Sequence, residues 1–252
     1  MQRPFYPEGA DVAHVYLLHP PGGIVGGDRL RVEASVAAGA HALLTTPAAT
    51  KVYRTAGPAA AQESALAVAR GGVLEWLPQE TILHDGADVA LTTRVRLESG
   101  ARFLGIDLLC FGLPARPGEA GFARGRCRQQ LEVWRDDAPV LLERGRFDGD
   151  GPVHAARWGL ADAPVLGTFV ASPAPAAAAE LLAAIRARAE ALPAGELASA
   201  TLLGQPAADD ALVCRYVGAS AERARAFLRA AWADTRPTLL GRAAIPPRVW
   251  AT

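Results

Sequence analysis

The sequence has little of what several common classes of protein require. Its 252 residues include three cysteines, none in a CxxC pair, so neither a disulfide framework nor a zinc half-site is predicted. Scarce cysteine favours a reducing compartment, and we predict a cytoplasmic protein. No uninterrupted apolar run of about 18 residues occurs and no secretory signal is visible, so we predict no membrane span and no export. Lys plus Arg equals Asp plus Glu, at 26 each, which argues against nucleic-acid binding through bulk charge.

Signatures of catalytic and nucleotide-binding sites are also missing. The chain contains no GxGxxG fingerprint, no GxSxG nucleophile elbow and no HExxH metal motif. Its most conspicuous feature is HPPGGIVGGD at residues 19–28, called here the glycine loop. The loop ends in a carboxylate followed by a predicted strand, where a phosphate loop needs lysine and a helix. We therefore predict neither phosphate binding nor catalysis here; the residues of interest are His19, Gly22, Gly23, Gly26, Gly27 and Asp28.

Most of the chain is predicted to form β-strands. Glycine turns at Gly39, Gly71 and Gly100 each precede an apolar strand, at a spacing close to 30 residues. Such a period indicates stacked β units that share one core, although meandering hairpins in a sandwich would give similar spacing. With no low-complexity linker, residues 1–252 are predicted to form a single domain.

Two helices are predicted near the C-terminus. The first begins near Pro175 and continues to about Leu192. The second begins after Ser220, a suitable N-cap, and is expected to stop at Arg236-Pro237. The predicted fold class is mainly β, with stacked sheets of β-helical or sandwich character and these two α-helices.

A few polar residues interrupt apolar strands and are the candidates for function. Asp107 lies inside the apolar run 103–111, and Glu143 follows Leu141-Leu142. Burying a lone carboxylate is expensive, so each needs either an ion pair, with Arg102 or Arg54 for Asp107, or a polar internal channel. The structural interpretation of Thr50, an ordinary strand hydroxyl, is favoured. Asp28 has the structural alternative of capping a turn. Ligands this scattered favour labile binding of a divalent metal such as nickel over a closed site.

Five segments together resemble the urease accessory protein UreD family, also called UreH. They are RPFYPE at 3–8, the glycine loop, TTPAATKVYR at 45–54, LEWLPQE at 74–80 and PPRVW at 246–250. Family members carry a longer segment before the first of these. The resemblance therefore implies a single UreD-like domain without the family's N-terminal strands, whose loss would expose a sheet edge.

The resemblance implies a non-enzymatic function. Members of the family bind urease apoprotein together with UreF and the GTPase UreG, and help to insert nickel through an internal polar tunnel. Matching by motif places Asp28, Asp107 and Glu143 as transient nickel contacts and Thr50 in the tunnel wall. No permanent cofactor, nucleic acid or membrane is implied. The alternative is a purely structural interaction scaffold that never contacts the metal.

Overall fold

Strands dominate the computed structural model, which describes residues 3–115, 121–176, 178–204 and 211–251. The strands are β1 Val12–Tyr16, β2 Arg29–Val36, β3 His41–Thr45, β4 Thr50–Val52, β5 Ala60–Val68, β6 Val73–Trp76, β7 Thr81–Leu83, β8 Asp88–Leu97, β9 Arg102–Phe111, β10 Arg126–Arg135, β11 Ala138–Asp148, β12 Val165–Ser172, β13 Leu197–Leu203 and β14 Ala211–Gly218. The helices are α1 Pro152–Ala155, α2 Ala178–Glu190 and α3 Ala221–Leu240, followed by a 3-10 turn at Arg248–Ala251.

The first part of the chain winds as a β-solenoid. Successive strands alternate between two facing sheets, and each pairs in parallel with the strand one coil earlier: β1, β3, β6 and β9 in the first sheet, and β2, β5, β8 and β10 in the second. Short strands β4 and β7 form a third row that joins β9. The 30-residue spacing therefore corresponds to stacked coils, and the hairpin alternative is wrong.

The glycine turns mark the same corner of consecutive coils. Gly39, Gly71 and Gly100 have φ values of 69°, 69° and 76°, a backbone region that favours glycine. Each turn lies directly against the preceding one, since a Cβ on Gly100 would sit 3.9 Å from the Gly71 nitrogen. The repeated glycine therefore sets where every coil turns from the second sheet back to the first.

The later strands extend both sheets in antiparallel fashion. Strands β12, β14 and β13 continue the first sheet beyond β9, and β11 closes the second sheet beside β10. Helices α2 and α3 pack on the outer face of the first sheet, where an apolar cluster includes Phe169, Tyr216, Phe227 and Trp232. The interior of the molecule thus has two levels, one between the sheets and one under the helices.

The two predicted helices are confirmed, with one correction to their ends. Helix α3 begins at its predicted cap, where the Ser220 hydroxyl accepts a hydrogen bond from the Arg223 N–H at 3.2 Å. It does not stop at Pro237 but continues to Leu240 and ends on Gly241, which has φ 69°. The buried Arg236 side chain anchors this last turn, so tertiary contacts outweigh the proline. The short helix α1 lies between β11 and β12 and adds a third helix to the two that were predicted.

Helix α3 is anchored by a buried set of ionisable side chains that we call the ion-pair cluster: Glu8, His14, His41, Glu75 and Arg236. The Arg236 guanidinium contacts both Glu75 oxygens at 3.0 and 3.1 Å and both Glu8 oxygens at 2.7 and 2.8 Å. His14 lies 2.7 Å from Glu8, and His41 lies 2.7 Å from Glu75. The cluster joins the segment before β1, strand β6 and the end of α3.

Candidate functional site

The glycine loop is a shaped turn whose glycines each have a structural reason. Gly22 and Gly27 have φ values of 76° and 86°. A Cβ on Gly23 would lie 2.3 Å from the Tyr53 ring, so glycine is needed there for close packing. A Cβ on Gly26 would lie 2.0 Å from the Thr55 hydroxyl oxygen, so glycine is needed there for the same reason. The loop therefore brings the chain closely past the second coil, and nothing in this geometry requires a ligand.

Asp28 closes the end of that loop. Its Oδ2 accepts a hydrogen bond from the Val25 N–H at 2.9 Å, and its own N–H donates to the Val25 carbonyl at 3.1 Å. The side chain is thus used as a turn cap, the structural alternative that the sequence left open. Its assignment as a nickel contact stays a prediction.

A cavity of about 340 Å³ lies between the sheets, next to the glycine loop. His19 is exposed at its mouth, Thr50 lies in its wall and Asp107 faces it from β9. Further polar side chains from the coils contribute to the lining; they include Thr46, Gln62, Ser64, Gln79, Thr92 and Thr93. Three of the sequence-predicted residues, His19, Thr50 and Asp107, are therefore brought together, whereas Asp28 and Glu143 are not among the described residues that line this cavity.

Asp107 has an unusual environment for a carboxylate. It retains some accessible surface because it faces the cavity, yet protein surrounds it on the other sides. Desolvation raises the pKa of Asp107 to about 6, the hydrogen bond from Gln129 opposes that rise, and the nearby Glu143 charge adds to it. The Gln129 amide donates to Asp107 Oδ2 at 2.7 Å. Neither predicted arginine partner is used, so a neutral amide from the opposite sheet replaces the expected ion pair.

Beyond Asp107, polar side chains continue across the molecule in what we call the polar layer: Asp107, Gln129, Glu143, Thr168 and Arg215. Backbone register places Asp107 opposite Thr168, and Thr168 opposite Arg215, on three adjacent strands of the first sheet. From the second sheet, Glu143 accepts hydrogen bonds from Thr168 at 3.3 Å and from Arg215 at 3.0 Å. Glu143 is thus connected to Asp107 through a shared neighbour, and the two carboxylates belong to one arrangement.

Away from the cavity, the polar layer lies between two apolar clusters that pack between the sheets. On one side lies an apolar cluster that includes Leu131, Val133, Leu141, Val170 and Val213. On the other lies a second cluster that includes Leu109, Phe111, Cys127, Phe147 and Val217. Because side chains alternate along a strand, a single polar residue among inward positions is enough to form such a layer.

Sequence reasoning missed three members of the polar layer, Gln129, Thr168 and Arg215. A signal for each was present. Gln129 falls between the inward-facing Cys127 and Leu131, and Arg215 takes the corresponding place between two valines of β14. Counting polar interruptions at every second position would have marked them, but only the pairing of β9, β12 and β14 shows that they meet.

The site offers few ligands for a tightly held metal. Among residues 3–115, 121–176, 178–204 and 211–251, no group of three or more His, Cys, Asp or Glu side chains is close enough to hold a metal ion. All three cysteines are buried, and desolvation raises the pKa of the Cys110 and Cys214 thiols to about 12.

None of the described helices has the length and apolar character needed to cross a membrane.

The fold and its interior together define a β-solenoid with a polar layer between its sheets. The family model described as "UreD urease accessory protein" matches residues 1–251. The urease accessory protein UreD of Dechloromonas aromatica is 43% identical over 254 residues, covering 100% of this chain and 85% of that protein. UreD 2 of Brucella anthropi is 41% identical, and UreD of Citrobacter koseri 40%, with 88% and 82% of those proteins covered. The chain belongs to the UreD urease accessory protein family.

Proposed function

We propose that this protein is a urease maturation factor of the cytoplasm that helps to deliver nickel to the urease active site. It acts as a non-enzymatic scaffold with UreF and the GTPase UreG on urease apoprotein, and nickel passes through its interior. Family membership supports the role in urease maturation. The observation that carries the nickel proposal is the polar layer, which extends from Asp107 in the cavity wall to the partly exposed Arg215.

The chemistry of the lining suits a cargo ion better than a resident one. Imidazole and carboxylate groups both bind divalent nickel. His19 supplies an imidazole at the mouth of the cavity, and Asp107 supplies a carboxylate inside it. Each position offers one strong ligand with neutral oxygen and amide groups nearby, so an ion would be held weakly and released readily. Weak successive contacts are what a passage requires.

The test is the nickel content of urease matured with variant proteins. We expect Asp107→Asn to lower the nickel content per urease severalfold. Asp107 is the only acidic residue among the described residues that line the cavity, where Arg31 carries the opposite charge. Glu63→Gln is the matched control, since that carboxylate lies on the outer face of β5 and is 39% exposed. Normal nickel content with Asp107→Asn, measured alongside unchanged capture of UreF, would contradict the proposal.

A second candidate is a purely structural interaction scaffold. It is favoured by the ion-pair cluster, which contains Glu8 and Glu75 from two of the family-like segments and contributes none of the described residues that line the cavity. This candidate predicts that Asp107→Asn matures urease normally, whereas disrupting the attachment of α3 abolishes binding to partners. Equilibrium dialysis of nickel against the purified protein and its Asp107→Asn variant separates the two, because the scaffold predicts identical, negligible binding.

A further inference from the structure

The polar layer reaches solvent at one end, and its exposure rises along the way. Gln129 and Thr168 are 4% and 3% exposed. The Glu143 side chain is 19% exposed, and the Arg215 side chain, at the end, is 43% exposed. The next strand continues the row, because backbone register places Arg215 opposite the exposed Ser199. The layer therefore has a defined outer end, formed where β14 of the first sheet faces β11 of the second.

At this outer end, the Glu143 carboxylate bridges the two sheets. Glu143 Oε1 accepts a hydrogen bond from the Thr168 hydroxyl, and Glu143 Oε2 accepts one from the Arg215 guanidinium. Both oxygens are thus occupied by groups from the first sheet. Of the polar layer, only Asp107 is among the described residues that line the cavity; Glu143 and Arg215 are not. Between Asp107 and the outer end, Gln129 and Thr168 are almost completely buried, so side chains of the polar layer must move if an ion is to pass.

We propose that Arg215 and Glu143 form a gate at the outer end of the polar layer, and that the guanidinium must leave Glu143 before a divalent cation can pass. The proposal rests on the nickel passage proposed above and adds its point of control. The pair is suited to opening because it is partly solvated, and water can replace each partner. A cation arriving at Glu143 competes with Arg215 for the same oxygens, so the gate is closed when empty and displaced by its cargo.

The gate is tested by the rate at which a reporter cysteine behind it reacts with N-ethylmaleimide. Thr168→Cys places a thiol next to Glu143. Because the three native cysteines are buried, we expect little background labelling, and labelling of the parent chain measures it. We expect Arg215→Met to raise the labelling rate of this reporter at least about tenfold. The matched control is Arg223→Met. Arg223 is 46% exposed, similar to Arg215, and pairs with Glu196 outside the polar layer, so this variant should leave the labelling rate unchanged.

A second reporter protects the test against a folding defect. Gln129→Cys lies deeper in the polar layer, and Arg215→Met should accelerate its labelling as well. An unchanged rate for a folded reporter in the Arg215→Met background overturns the gate. Because labelling is measured without nickel, this failure is distinct from failure of the proposed function, which would appear as normal urease nickel content with Asp107→Asn.

Discussion

The ion-pair cluster and the polar layer both place charged groups inside the protein, yet they are built differently. In the ion-pair cluster, Arg236 is fully buried and contacts two carboxylates with both of their oxygens. In the polar layer, Asp107 has one amide donor and an open cavity beside it. A buried charge with several charged partners holds a structure in one arrangement, whereas a carboxylate with a single neutral partner beside a cavity is available for binding.

The difference also appears in the pKa directions. Burial by itself raises the pKa of Glu8, but hydrogen bonds and charge from Arg236 and His14 outweigh it, so the pKa of Glu8 is lowered. For Asp107 the desolvation is not offset, and the pKa is raised to about 6. The ion-pair cluster therefore favours the ionised form of Glu8, whereas the polar layer contains a carboxylate, Asp107, whose protonated form is favoured by burial.

The largest expected effect comes from breaking the ion-pair cluster. Arg236→Met should lower the free energy of unfolding by about 3–5 kcal/mol, because two buried carboxylates lose their shared partner. Urea denaturation measures the change. Arg242→Met is the control; its pair with the exposed Asp11 should contribute at most about 1 kcal/mol. A loss for Arg236→Met as small as that of the control would remove the distinction drawn between the two regions.

A smaller effect of opposite sign is expected in the polar layer. The folded pKa of Asp107 lies above its unfolded value, so stability is lost as the pH rises from about 4 to about 6. Asp107→Asn removes this dependence and should be more stable than the parent at pH 7.5, by up to about 3 kcal/mol. The two proteins should have similar stability at pH 4.

Urea denaturation at both pH values checks this prediction. Glu63→Gln, on the outer face of β5, serves as the control and should show no comparable divergence between pH 4 and pH 7.5. If Asp107→Asn is less stable than the parent at pH 7.5, the carboxylate is a structural partner like those of the ion-pair cluster, and the comparison fails.

The sequence predicted the architecture better than the site for physical reasons. The solenoid has a local signature, because every coil repeats a glycine turn and an apolar strand. The polar layer has no repeated signature in the local sequence. Asp107 and Glu143 were noticeable only as carboxylates in apolar strands, and their connection through Thr168 depends on antiparallel pairing between distant segments. Strand β13 also lacks a local signature, because exposed and buried positions do not alternate regularly along it.

A third prediction tests how the tail supports helix α3. The Trp250 indole N–H donates to the Thr45 hydroxyl at 2.9 Å, and its ring packs 4.0 Å from the Arg229 guanidinium. Trp250→Phe keeps an aromatic ring but removes the donor, and should cost about 1 kcal/mol. Trp158→Phe is the control, because that side chain is 74% exposed. Equal thermal denaturation midpoints for the two variants would show that the tail adds nothing to the attachment of α3.

The smallest effect is expected at Asp28, which belongs to neither region. An asparagine keeps the side-chain oxygen that accepts from Val25 and removes only the charge, so Asp28→Asn should change stability by less than about 0.5 kcal/mol. Asp28→Ala loses the acceptor and should cost about 1 kcal/mol. Since Asp28 is not among the described residues lining the cavity, we also expect Asp28→Asn to mature urease with normal nickel content. Reduced nickel with unchanged stability would instead assign the Asp28 charge to the passage, and would extend the functional region from the polar layer to the glycine loop.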